Sequence, residues 1–183
     1  MSDEETGICF DTETTGLLAA RSADIIHQPF ITEIYLCKYN LETFEPVDEY
    51  KSLLNIPIPV PEHITRITNI TDEMLVGKPK YDEIAEDIFE FCFGSEVVLG
   101  QNLMFDLEML RHSCIRYKTE EFLPEFKEKL CTVELSYPMF NRRRKLGDLY
   151  HMATGKKIDG AHRAKADVLA TLEVYEWLKS EGF

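Results

Sequence analysis

The spacing of apolar and polar positions changes along this chain, and the change predicts the order of its elements. Near the N-terminus, Gly7 to Thr12 is a short apolar run that reads as a strand. Residues 19–29 keep no period and read as an irregular loop. Ile31 to Tyr39 and Phe44 to Leu54 read as a second and a third strand, joined by a polar turn around Asn40-Leu41-Glu42. The segment Ile56-Pro-Ile-Pro-Val-Pro61 must be extended, because each proline disfavours helix at the residue before it.

Beyond residue 70 the spacing becomes helical. Thr71 is placed to cap a short helix through Leu75, and Tyr81 to Phe93 reads as a longer amphipathic helix with Ile84, Ile88 and Phe91 on one face. Val97 to Leu99 is short and apolar, which suits a buried central strand. A helix follows from Phe105, with Leu103, Leu107, Leu110 and Cys114 in one stripe. Leu130 to Glu134 reads as another strand, and Lys145 to Ala153 and Ala164 to Lys179 as the closing helices. Three strands followed by alternating helix and strand predict an α/β fold with a central sheet of mixed direction flanked by helices. At 183 residues the chain is most simply one domain, 1–183, long enough to bury a core unaided.

No apolar run approaches the roughly 20 residues of a membrane span. The acidic start Met-Ser-Asp-Glu-Glu leads straight toward a strand and is no signal peptide, so a cytoplasmic protein is expected, with a nuclear one compatible. Cys9, Cys37, Cys92, Cys114 and Cys131 are an odd set without a C-x-x-C pair, mostly inside apolar segments; buried reduced thiols are the expectation, ahead of zinc. The net charge of -13 argues against broad electrostatic binding of nucleic acid. Its distribution changes that picture. Between Pro138 and Lys165 stand eight basic residues and two acidic ones, so this segment is +6 and the remainder -19. A basic patch on an acidic body suits local capture of a phosphate backbone, and a solvated loop of mixed charge is the plain alternative.

The chemistry begins in Ile8-Cys-Phe-Asp-Thr-Glu-Thr-Thr-Gly-Leu17, where a strand ends in two carboxylates spaced i, i+2. Residues so spaced share one face of a strand, and like charges held together call for a cation. Asp106, after the run Val97 to Gly100, and Asp167, five residues after His162, both fall in the first turn of an expected helix. A first-turn aspartate alone is accounted for by the helix dipole. Together, Asp11, Glu13, Asp106 and Asp167 would balance two Mg²⁺ ions, and all-oxygen ligands are what such ions select; Mn²⁺ suits the same ligands. Two metals can clamp an in-line phosphoryl displacement, and His162 can take the proton of an attacking water.

The three motifs D-T-E-T-T-G-L, N-x-x-F-D and H-x-x-x-x-D resemble those of the DEDD exonuclease superfamily, histidine subclass (DEDDh), in order and interval from Ile8 to Leu178. The form Asp-Thr-Glu-Thr-Thr-Gly is similar to the proofreading epsilon subunit of bacterial DNA polymerase III. The resemblance implies a ribonuclease-H-like fold and 3′-to-5′ removal of nucleotides from single-stranded ends as 5′-monophosphates, with DNA preferred and RNA the alternative. It implies that Asp11 bridges both metals, that Glu13 and Asp167 complete the first metal's shell, that Asp106 holds the second through water, and that His162 is the general base. It also implies that Thr14, Thr15, Gly16 and Leu17 cradle the terminal nucleotide, Leu17 wedged at the last base. Asn102 would orient the loop or touch phosphate. Phe105 would stand beside the metal aspartate, a position that equally suits core packing. Thr68, Asn69 and Ile70, in a stretch similar to Ile-His-Gly-Ile-Thr, would line the pocket for the terminal base. Gln101 departs from the histidine many members carry. The chain stops at Phe183 without an epsilon-type tail, so a polymerase partner is not expected, and oligomeric state is left open. Two readings from other classes compete: an end-binding module without catalysis, and a metal-binding interaction domain. The first should have replaced one of the five key residues, and none is replaced.

Overall fold

The computed structural model describes residues 5–183. Strands β1 (Thr6–Thr14), β2 (Ile31–Asn40), β3 (Pro46–Leu53), β4 (Val97–Gly100) and β5 (Glu128–Cys131) form one sheet in the order β3-β2-β1-β4-β5. β1–β2 and β2–β3 pair antiparallel, whereas β1–β4 and β4–β5 pair parallel. This is the mixed α/β sheet expected. Parallel neighbours need a crossover, and between β4 and β5 that crossover carries a helix.

The helices are α1 (Glu62–Thr68), α2 (Asp72–Leu75), α3 (Ala85–Cys92), α4 (Met104–Tyr117), α5 (Thr132–Phe140), α6 (Leu146–Thr154) and α7 (Ala164–Ser180). Strand alternation in β1 divides the core. Ile8 and Phe10 face α3 and α4, meeting Ile84, Ile88, Met109, Leu110 and Cys114. Cys9 faces the other way, onto α7, with Ala164, Val168, Leu172 and Tyr175. A second stripe of α7, Val174 and Leu178, packs on Leu149 of α6. All five cysteines are buried free thiols.

Several boundaries differ from the expectation for physical reasons. β1 runs on through Glu13 to Thr14 because β2 continues to pair with it, across a register shift between those two residues. The third strand starts at Pro46, since Phe44 takes a left-handed conformation at φ 60 and closes a turn on the Asn40 carbonyl. The expected helix from Tyr81 to Phe93 is broken at Ile84 (φ -125, ψ 0), leaving a 3-10 turn ahead of α3. Thr71 occupies the N-cap position of α2 without a side-chain cap bond; Asp72 instead accepts the Val60 N–H at 2.7 Å. The strand expected over Leu130 to Glu134 ends at Cys131, where its partner β4 ends, and the chain enters α5 at once. Helices α1 and α5 were not anticipated. Pro61 stands at the N-cap of α1 and Pro138 lies inside α5, so prolines masked both.

Candidate active site

Asp11 and Glu13 follow Cys9 on the face of β1 that α7 covers, and Asp167 lies in the first turn of α7. Oxygen atoms of these three half-buried carboxylates all lie within 4.8 Å of one another. Asp106 arrives from the opposite face. Its carboxylate is 3% exposed and accepts both the Thr12 N–H (3.0 Å) and the Thr12 hydroxyl (2.7 Å) on one oxygen. Asp106 therefore stands outside the group of three, fastened to the residue between Asp11 and Glu13.

A tight turn delivers Asp106. A Cβ on Gly100 would press on Leu103 Cδ1 at 3.0 Å and on the Phe10 carbonyl oxygen at 3.3 Å, so glycine eases the close passage of β4 by β1 before α4 begins. Asn102 completes the turn at φ 59, a conformation asparagine tolerates better than most residues. Gln101 pins the turn: its side-chain amide donates to the Arg144 carbonyl at 3.1 Å, and its oxygen accepts from the Thr132 hydroxyl.

His162 is exposed at the head of α7, at φ 65, and its N–H donates to Asp167 Oδ2 at 3.2 Å. A cleft of about 260 Å³ is lined by Asp11, Thr12, Glu13, Leu17, Gln101, Asn102, Phe105, Asp106, His162 and Asp167. All five residues proposed for chemistry meet there, with Leu17, Asn102 and Phe105 among the substrate candidates. Leu17 is 87% exposed, an apolar side chain presented to solvent at the rim.

The remaining candidates sit behind or away from this wall. Thr14 and Thr15 are buried, and their hydroxyls hold the turn: Thr14 donates to the Gly16 carbonyl at 2.7 Å and Thr15 accepts the Phe30 N–H at 3.0 Å. Thr68 and Ile70 are buried too, the Thr68 hydroxyl donating to the Ile64 carbonyl and accepting the Ile70 N–H, each at 3.1 Å. Asn69 is exposed at the left-handed end of α1. These three are not brought into the cleft lining. Thr12 went unremarked in the sequence; a threonine between two carboxylates signals nothing until the fold brings a third to it.

The electrostatics are those of a site short of positive charge. Burial pushes the Glu13 carboxyl up to about 8, reinforced by Asp167, Glu33 and Asp106 and opposed by Arg163. Burial likewise raises Asp106 to about 7, against the Thr12 bonds that favour its charged form. Asp11 is driven well above the usual carboxylate range, by burial first, then by Asp106, Glu13 and Asp167. Asp167 is raised by burial, moderated by the His162 N–H. The nearby guanidinium of Arg163 is engaged by Glu33. Converging oxygens whose protons are held by mutual repulsion fit a hard divalent cation. Among the described residues this is the one such convergence of three or more metal-ligating side chains.

The family model RNase_T, described as Exonuclease, matches residues 8–175. The chain is 26% identical over 166 residues to the DNA polymerase III subunit epsilon of Treponema pallidum (strain Nichols), covering 91% of this chain and 73% of that protein. Other relatives are longer: the chain spans 12% of a PolC-type DNA polymerase III of Mycoplasma genitalium. The nuclease domain of 3′hExo, a DEDDh family member bound to rAMP, superposes with a TM-score of 0.76 at 16% identity, over 99% of this chain and 94% of that one. The zinc-bound E. coli ExoI–ssDNA complex superposes with a TM-score of 0.76 at 18% identity, over 98% of this chain and 41% of that one.

Proposed function

We propose that this chain, which belongs to the RNase_T exonuclease family and carries the full DEDDh motif set, removes nucleotides one at a time from single-stranded 3′ ends and releases nucleoside 5′-monophosphates. The observation that carries this reading is the convergence of Asp11, Glu13 and Asp167, with Asp106 and His162 opening onto the same cleft. Asp11, Glu13 and Asp167 would hold one divalent cation, and Asp106, turned in from the other side of β1, would serve a second. Bound Mg²⁺, or Mn²⁺ in its place, would supply Lewis-acid stabilisation of the charge that develops on the phosphate oxygens.

The protein's own groups divide the remaining work. His162, exposed at the rim, takes a proton from the attacking water as the P–O bond to the 3′ oxygen of the preceding nucleotide breaks and that oxygen leaves. General-base help of this kind contributes about 10²- to 10⁴-fold. Leu17 would meet the face of the last base, and the Thr14–Gly16 turn, tied internally, would hold Leu17 at the rim. Asn102 and Phe105 would border the terminal nucleotide. Thr68 and Ile70, both buried, would support the end of α1, and Asn69 is the one of the three with a side chain exposed for the terminal base.

DNA is the preferred substrate on the Asp-Thr-Glu-Thr-Thr-Gly motif. The RNA-trimming reading keeps its own support, since one neighbour is described with rAMP and another with ssDNA. A polymerase partner, not expected from the sequence, stays open on the similarity to an epsilon subunit, of which this chain covers 73%. We take residues 1–183 as a single catalytic unit; no helix among the described residues is long and apolar enough to cross a membrane. Product analysis tests the reading: a strand carrying a 3′-terminal label should release it first, as a 5′-monophosphate. Nucleoside 3′-monophosphates, or release from the 5′ end, would overturn it. His162→Ala should slow turnover about 10²-fold or more with Mg²⁺ binding retained in calorimetry; loss of metal binding instead would contradict its role as base.

A further inference from the structure

Glu33 is a carboxylate where a sheet seldom keeps one. It lies in β2, a strand largely buried on both faces, and pairs in register with Glu13 across the β1–β2 ladder. Like charges directly opposite destabilise a sheet, so Glu33 needs a partner, and its partner is specific. Arg163 grips it with both prongs, Nε to Oε2 at 2.9 Å and Nη2 to Oε1 at 2.6 Å. Glu33 Oε2 also accepts the Ala164 N–H at 3.2 Å.

These contacts fall at the head of α7. Arg163 is its N-cap residue and makes no side-chain cap bond of its own. The cap comes from the sheet instead, through Glu33. The residue just before is His162, at φ 65, a conformation that costs a non-glycine residue energy and persists where the surroundings enforce it. On one side of His162 its N–H is held by Asp167; on the other, the next two residues are held by Glu33. With its oxygens engaged by Arg163 and Ala164, Glu33 is outside the carboxylate group fit to hold metal.

We propose that Glu33, acting through Arg163 and the head of α7, is a positioning residue that fixes His162 over the carboxylate cleft. The inference rests on the reading of His162 as general base. It places a positioning role on a strand residue belonging to none of the three motifs.

Four proteins test it: the unmodified chain, Glu33→Gln, His162→Ala and the double variant. Each is assayed on a single-stranded DNA oligonucleotide at saturating Mg²⁺, with KM, calorimetric Mg²⁺ affinity and melting temperature alongside. Glu33→Gln should lower kcat about ten-fold or more while KM and Mg²⁺ affinity stay within about two-fold. In the His162→Ala background the same substitution should cost less than about two-fold, since the group it positions is gone. Arg163→Lys, which loses the fork but keeps the charge, should reproduce Glu33→Gln and covers the case in which the latter fails to fold. An equal loss in both backgrounds would assign Glu33 to the metal site or the fold and overturn the proposal, as would an unimpaired Glu33→Gln. A fully active His162→Ala would sink the base assignment and this proposal with it, whereas an impaired His162→Ala beside a normal Glu33→Gln would sink this proposal alone.

Discussion

Single residues settle which carboxylates meet. The i, i+2 spacing of Asp11 and Glu13 was enough to put both on one face of β1, and the first-turn position of Asp167 was enough to aim it there. Asp106 was legible as a participant but not as to its side, because its anchor on Thr12 depends on how close β4 passes to β1. Glu33 was not singled out in the sequence at all; its pairing with a residue 130 positions away is tertiary. The raised carboxyls have a consequence for stability. Without a cation, burial pushes the Glu13 carboxyl up to about 8 from an ordinary 4.5, and Asp106 up to about 7 from 3.8. The folded chain then binds these protons more tightly than the unfolded one, so stability is lost as pH rises from the ordinary values through the folded ones. Melting temperature without metal should fall between about pH 5 and about pH 8, and saturating Mg²⁺, which replaces the protons, should shrink that fall. Glu13→Gln should flatten it as well. A melting temperature that rises across this window without metal would contradict the electrostatic picture of the site.

At the scale of elements, the sequence was clearest where periodicity was long and weakest at junctions. α7 was readable because two stripes of apolar residues are buried, one on the sheet and one on α6. The loop over residues 19–29 had no pattern to read, yet it is organised. Arg116 of α4 donates to the Pro29, Ile25 and Gln28 carbonyls at 3.1, 2.9 and 2.7 Å and stacks 3.9 Å over the Phe30 ring. Gln28, buried, accepts the Ala19 N–H at 3.0 Å and donates to the Ala20 carbonyl. Through these contacts a helix on one layer fixes the segment that follows Leu17. Arg116→Ala should leave those carbonyls without their donor and destabilise the fold by about 1–3 kcal/mol. It should also raise KM for the 3′ end more than it lowers kcat, because the carboxylates lie elsewhere. Protease cleavage within residues 19–29 would report the released loop, and a variant with unaltered melting, KM and proteolysis would refute the role given to Arg116.

Across the whole molecule, charge is sorted so that an acidic body carries one basic segment, and the fold shows how much of that segment is free. Arg163 is engaged by Glu33 and Lys165 by Glu49, while Arg144 stacks 4.7 Å over Phe140. Arg142, Arg143 and Lys145 stay exposed, with Arg143 donating to Asn102 at 2.7 Å on the cleft's edge. On the proposed function these three, rather than the whole cluster, would grip the strand upstream of the scissile bond. Replacing them by serine should weaken single-strand binding and reduce the slope of log K against log salt by about 2, at roughly 0.7 per phosphate contact; an unchanged slope would leave them a role in solubility alone. Metal-dependent hydrolysis at the carboxylate cleft is tested most directly by a degradation time course. Matched 5′-labelled DNA and RNA strands are followed with Mg²⁺ and with EDTA, for the unmodified chain and for Asp11→Asn. The prediction is a ladder that shortens from the 3′ end only with Mg²⁺, faster on DNA, and is lost in the variant. Shortening that survives EDTA or Asp11→Asn, or its absence from both strands with Mg²⁺ bound, would contradict it.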